Sequence, residues 1–131
     1  MGESHRIDPE ARPYEPADLP KKPDVGFDGF LALDIRVGRV TDVQPFPEAR
    51  DPAYRLTVDF GPLGCLRTSA KVTSYAPEEL LGRQVVGAVN LGTKRIAGFV
   101  SEFLILGGLE PDGTVALLGP DRDLAPGSVV S

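Results

Sequence analysis

The sequence predicts an all-β chain, a small barrel of short strands with one short helix, and three observations carry that expectation. Gly 15 and Pro 13 among 131 residues are high for the length and favour turns over helices. Apolar and polar residues alternate over several runs of about six to eight residues, the period of a half-buried strand. The third observation is the stretch Arg83 to Gly107, in which two apolar runs flank a short basic segment. The length fits one domain large enough to bury an ordinary core.

Residues 1–26 carry Pro9, Pro13, Pro16, Pro20 and Pro23 among charges. Such a segment buries little surface and reads as an irregular arm, held against this chain or a neighbour. The folded body is expected from 27 to 131. Phe27 to Leu33 has room for a turn of helix. The first strand is placed at Asp34 to Val43. There Ile35 and Val37 alternate, Gly38 interrupts, and Val40 continues in the opposite phase, which predicts a bulge at the glycine. A loop with the sequence FPEAR follows. The second strand, Ala53 to Phe60, puts Tyr54, Leu56, Val58 and Phe60 on one face and Arg55, Thr57 and Asp59 on the other. After the turn Gly61-Pro62-Leu63-Gly64, the third strand runs from Cys65 to Val72. Leu66, Thr68, Ala70 and Val72 share its inner face; Cys65, Arg67, Ser69 and Lys71 share the outer one.

A short helix is expected at Pro77 to Leu81. Proline suits its first position, Glu78 and Glu79 its positive end, and Gly82 its stop. The fourth strand, Gln84 to Asn90, is rich in β-branched residues. Lys94 and Arg95, between Gly92 and Gly98, suggest an exposed turn that presents charge. A further strand runs from Phe99 to Leu106, with Ser101 and Glu102 set into it; a carboxylate there needs a partner or an exposed edge. The tail holds a turn at Glu110 to Gly113, a strand at Thr114 to Leu118 and a proline-rich return. Five or six short strands with one helix before the fourth match an OB-fold: a five-stranded Greek-key barrel, here with extra C-terminal strands.

Bulk properties exclude several classes. No apolar run approaches a membrane span, and the N-terminus has no apolar signal core. A single cysteine, Cys65, excludes an internal disulfide and fits the cytoplasm. The net charge is -5, from 14 Lys+Arg against 19 Asp+Glu. The middle of the chain, residues 27–107, holds nine cations and nine anions, so a local basic face is possible but a global field attracting nucleic acid is not. An enzyme is not expected. The only histidine, His5, lies in the arm, so no Ser-His or Cys-His pair has a base in the folded part. No phosphate-binding loop occurs, and metal ligation lacks clustered His and Cys, so neither cofactor nor metal is expected.

Three groups of side chains have both a binding and a structural reading. Lys94 and Arg95 either clamp phosphates or form a solvated hairpin tip. Arg67, Ser69 and Lys71 line a groove or form the wet face of an antiparallel sheet. Ser101 and Glu102 contact a ribose hydroxyl or a base amino group, or make internal bonds to Arg95 or a backbone amide. Regular pleating sends Ser101 and Glu102 to opposite faces, so both serve one groove only where the strand bulges. Trp is absent, and Tyr54, Phe60, Phe99 and Phe103 read as core. Exposed stacking platforms for single strands are therefore scarce, which favours recognition of shape and backbone, as in a structured RNA.

Five segments together resemble the tRNA-binding-domain family: DIRVGRV at 34–40, FPEARDPAYRLTVDFG at 46–61, TSAKVTSY at 68–75, PEELLGRQVVGAVN at 77–90 and IAGFVSEFLILG at 96–107. The family includes domains appended to aminoacyl-tRNA synthetases and free-standing proteins. Within it the likeness is greatest to homodimeric members described as export-related chaperones. It runs from about Phe27 to the C-terminus and leaves residues 1–26 outside. The resemblance implies an OB-fold whose extra elements pair two chains. It also implies a groove lined by Arg36, Arg50, Ser69, Lys71, Asn90, Lys94, Arg95, Ser101 and Glu102. The partner it implies is tRNA, an unfolded polypeptide, or both. The loop after Asn90 departs from the family pattern by lacking proline, while keeping two cations.

Overall fold

The computed structural model describes residues 14–131. The first half of the proline-rich arm, with His5, lies outside the described residues. Within 14–26 a single 3-10 turn forms at Pro16–Asp18, with no residue buried. A short helix, α1 (Gly26–Leu31), leads into β1 (Ile35–Pro45). Then come β2 (Tyr54–Asp59), β3 (Cys65–Ala70), helix α2 (Pro77–Leu80) and β4 (Gln84–Ala88). Five short strands complete the chain: β5 (Lys94–Ile96), β6 (Phe99–Ser101), β7 (Leu104–Ile105), β8 (Gly107–Leu109) and β9 (Val115–Leu117).

β1 organises the barrel because it is long enough to serve two partners. Its second half pairs antiparallel with β2, from Arg39–Asp59 to Pro45–Tyr54, and its first half with β4, from Ile35–Ala88 to Arg39–Gln84. The sheet order is β3-β2-β1-β4-β7, and β5–β6 and β8–β9 are separate hairpins. Where β2 leaves the first half of β1, the C-terminal segment covers the edge. Val37 N–H donates to Ser128 O (2.8 Å), and Gly127 and Val130 N–H donate to Val37 O and Ile35 O. No bare ladder is left there for another chain to pair with. The result is the expected nearly closed, five-stranded antiparallel barrel of OB type.

The bulge sits elsewhere than expected. The register of β1 against β2 shifts between Val40 and Asp42, while Gly38 pairs regularly with Val85. Gly38 is small for a packing reason: a Cβ there would lie 2.5 Å from a methyl of Val58 and 2.8 Å from the Phe60 ring. The change of phase also has another cause. Val37 is buried outside the main core cluster, beside the C-terminal segment, whereas Val40 belongs to that cluster with Leu56, Val58, Phe60, Val72, Leu80, Val85 and Phe103. Phe60 and Phe103 meet edge to face at 5.0 Å in its centre.

The expected basic turn is also re-drawn. Lys94 and Arg95 are strand residues, paired with Ser101 and Val100, and the hairpin reverses at Ala97 and Gly98. Both turn residues have positive φ (48° and 82°), the backbone of a tight hairpin turn. The strand expected from Phe99 to Leu106 breaks after Ser101. The break lets residues 101–103 close the barrel against β3. Glu102 N–H donates to Arg67 O (2.7 Å), and Arg67 N–H donates to the Glu102 carboxylate (2.9 Å). Helix α2 starts at Pro77 as expected and ends one residue early, at Leu80, and Ala76 N–H donates to Glu79 Oε1 at 2.7 Å to cap its start.

Candidate nucleic-acid interface

A groove of about 580 Å³ opens between the loop after β1, the end of β3, and the segment that leads from β4 into β5. Each wall has a local cause. The loop contributes Arg50 and Asp51 because Phe46 and Ala53, buried on either side, pin it to the barrel. Alternation along β3, continued for two residues past its end, buries Thr68, Ala70 and Val72 and leaves Ser69 half-buried and Lys71 exposed. Pairing with β6 holds Lys94 and Arg95 extended along the opposite wall.

The floor is a chain of hydroxyls. Thr68 Oγ1 donates to Phe103 O (2.9 Å) and lies 3.0 Å from Ser101 Oγ, which accepts from Ser69 N–H (3.4 Å). A hydroxyl has one hydrogen, so the bond to Phe103 makes Ser101 the donor to Thr68. Both side chains are buried, and no buried side-chain polar atom among the described residues lacks a partner. The floor is thus preorganised.

Six of the nine expected site residues meet in this groove: Arg50, Ser69, Lys71, Lys94, Arg95 and Ser101. Arg36, Asn90 and Glu102 are not among its walls. Arg36 Nε lies 2.6 Å from Asp34 Oδ1, and Nη1 donates to Gly127 O, tying the start of β1 to the C-terminal segment. Asn90 accepts from Asp34 N–H (2.7 Å) and donates to Ala32 O (2.8 Å), fastening the exit of α1 to the end of β4. Glu102 is occupied by the Arg67 amide. Sequence reasoning missed Asp51, Thr68 and the apolar wall residues Leu91, Ile96 and Leu104. An alternation signal marked Thr68 as inward, yet nothing local showed that inward at this end of the barrel means groove floor.

The nine cations of residues 27–107 divide evenly. Arg36, Arg39 and Lys71 are ion-paired with Asp34, Asp123 and Asp51. Arg55, Arg67 and Arg83 lie over the rings of Phe46, Phe99 and Tyr75. Arg50, Lys94 and Arg95 are in neither group among the described residues, and all three line the groove. The middle of the chain, neutral overall, thereby brings three cations free of ion-pair and ring contacts to one groove. Among the described residues no cluster of three or more His, Cys, Asp or Glu is arranged to hold a metal ion, and no helix is long and apolar enough to cross a membrane.

Residues 35–129 match the family described as "Putative tRNA binding domain". The structure is similar to that of chaperone CsaA from Bacillus anthracis, with a TM-score of 0.80 and 48% identity, covering 83% of this chain and 100% of that one. It is also similar to the CsaA chaperone protein from Picrophilus torridus, with a TM-score of 0.78, 39% identity and coverage of 82% and 100%. Among curated sequences, the methionine–tRNA ligase of Porphyromonas gingivalis is 40% identical over 107 residues, which is 82% of this chain and 16% of the ligase. This chain therefore spans about 16% of the length of the ligases it matches. On the barrel, the match along residues 35–129 and these likenesses, the chain belongs to the tRNA-binding-domain family.

Proposed function

We propose that this chain is a cytoplasmic, homodimeric, non-catalytic protein that binds tRNA through the groove. One observation carries the reading: within residues 27–107, the three cations with neither an ion-pair nor a ring partner among the described residues all line that groove. Cations of this kind hold phosphates and confer salt sensitivity without reading sequence. Lys71, though paired with Asp51 at 3.0 Å, is exposed enough to exchange that partner for a phosphate. Ser69 supplies a neutral hydrogen-bonding group for a ribose hydroxyl, and Ser101 would act through the floor it forms with Thr68. Arg36, Asn90 and Glu102 would act through the scaffold.

The dimer is supported by apolar surface where α1 and the C-terminal segment converge on the start of β1. Val25, Phe27 and Leu31, at or beside α1, are 76%, 74% and 60% exposed, and Val129 in the C-terminal segment is 67% exposed. A second copy related by a two-fold axis would cover such a surface. Light scattering at tens of micromolar should give twice the 14.0 kDa chain mass; a monomer mass would remove the dimer. Removal of residues 1–26 should leave the barrel folded and loosen the pair.

A second reading, an unfolded polypeptide as ligand, is favoured by the apolar walls Leu91, Ile96, Phe103 and Leu104. Salt separates the two. In a fluorescence titration, tRNA affinity should fall steeply as salt rises, whereas apolar peptide binding should not. Lys94→Glu/Arg95→Glu should weaken tRNA binding at least about tenfold, alike for different tRNAs. Absence of tRNA binding by the wild type at low salt would overturn the first reading in favour of the second.

A further inference from the structure

The β5–β6 hairpin has a second depression beyond the groove, about 490 Å³ in volume, which holds the side chains of Phe46, Arg55, Arg67 and Phe99. Phe46 and Phe99 meet edge to face, with centroids 5.5 Å apart, and both rings are buried, so neither is open to a ligand. Their covers are guanidinium groups. Arg67 lies 4.5 Å above the Phe99 centroid and Arg55 lies 5.3 Å from that of Phe46. Arg55 is further held by a bond from Nε to Pro45 O (3.2 Å). Arg67 is exposed, and its guanidinium is in no ion pair or side-chain hydrogen bond among the described residues. Its backbone is fixed on both sides by Glu102. A planar cation therefore lies over a buried ring and is exposed to solvent.

We propose that Arg67 is a nucleobase-stacking platform. The aromatic rings that line the groove and this depression, Phe46, Phe99 and Phe103, are all buried, and here an arginine laid over one of them takes the place of an exposed ring. Guanidinium planes accept stacked bases as aromatic rings do. A base suits the site because its neutral face packs on a guanidinium plane, while Glu48 in the same depression offsets part of the positive charge of Arg55 and Arg67. The ligand is an unpaired stretch of RNA, whose phosphates follow the cationic groove while one base lies on Arg67. This inference rests on the reading of the chain as an RNA binder and adds the class of structure recognised.

The experiment compares two probes of equal charge, a hexamer of oligoadenylate and a base-free phosphodiester hexamer, each titrated into wild type and Arg67→Lys, with tRNA titrated in parallel. Lysine keeps the charge and loses the plane. Wild type should bind the oligoadenylate at least about fivefold more tightly than the base-free probe. Arg67→Lys should abolish that difference while leaving the salt dependence unchanged. Equal affinity of wild type for both hexamers alongside firm tRNA binding would overturn the stacking platform alone, as would an undiminished difference in Arg67→Lys. Failure of wild type to bind tRNA and both hexamers would overturn the RNA reading and this inference together.

Discussion

Lys94 and Arg39 are both cations on strands of the same small barrel, and their surroundings separate them. Arg39 reaches two carboxylate oxygens of Asp123 (2.8 and 2.9 Å) and donates to Gly82 O, so it ties the C-terminal segment to the turn before β4. Lys94 points from a two-strand hairpin into an open groove, with no internal acceptor among the described residues. A cation with a protein partner must surrender that partner before it takes a ligand. One without a partner only sheds water. The side that ionic contacts have left uncompensated is therefore the side fit to meet an anion.

The contrast can be broken from both ends. The largest effect is expected from reversing the three groove cations together, Arg50→Glu/Lys94→Glu/Arg95→Glu. Binding of tRNA should fall by about a hundredfold or more, on the order of 1 kcal/mol per contact, with thermal stability nearly unchanged. A binding titration beside a melting curve checks both halves. Thr68→Val should do the opposite. It keeps the volume and strands the Phe103 carbonyl and the Ser101 hydroxyl, costing about 1–3 kcal/mol of stability in a denaturant titration. Asn90→Ala removes two hydrogen bonds and should cost about 1–2 kcal/mol while leaving RNA affinity in place. A large affinity loss without destabilisation would return Asn90 to the interface. Smallest of all is Arg39→Gln, whose Asp123 partner is 74% exposed; it should cost under about 1 kcal/mol and change no affinity.

The residues that alternation placed correctly are those whose environment is set by the pleat alone. Leu56, Val58 and Phe60 on β2, and Thr68, Ala70 and Val72 along β3, are buried as their period requires. Helix α2 was legible because its signals are local: proline first, glutamates in the first turn, glycine after the end. The misplaced features depend on distant partners. Gly38 reads as a bulge in sequence, but its size answers to Phe60, which lies 22 residues further along the chain. The hairpin turn was displaced because Ala97 adopts positive φ, an uncommon choice for a non-glycine residue that leaves no local trace. The resemblance implies Arg36 and Asn90 as groove residues, and neighbouring sequence does not show that Gly127 bonds Arg36 or that Ala32 and Asp34 bond Asn90. Lys94 and Arg95 stood out as adjacent cations, and the groove accounts for them once β5 is drawn as a strand.

The central claim is that uncompensated cations, rather than cations in general, form the interface, and the salt dependence of tRNA affinity tests it most directly. Two variants remove the same number of charges. One neutralises Arg50, Lys94 and Arg95 to glutamine; the other neutralises Arg36, Arg39 and Arg83. Each lost phosphate contact removes about 0.7–0.9 from the slope of log affinity against log salt. The first variant should flatten the slope by about two to three units, and the second should leave it at the wild-type value. Equal slopes for the two variants would contradict the account.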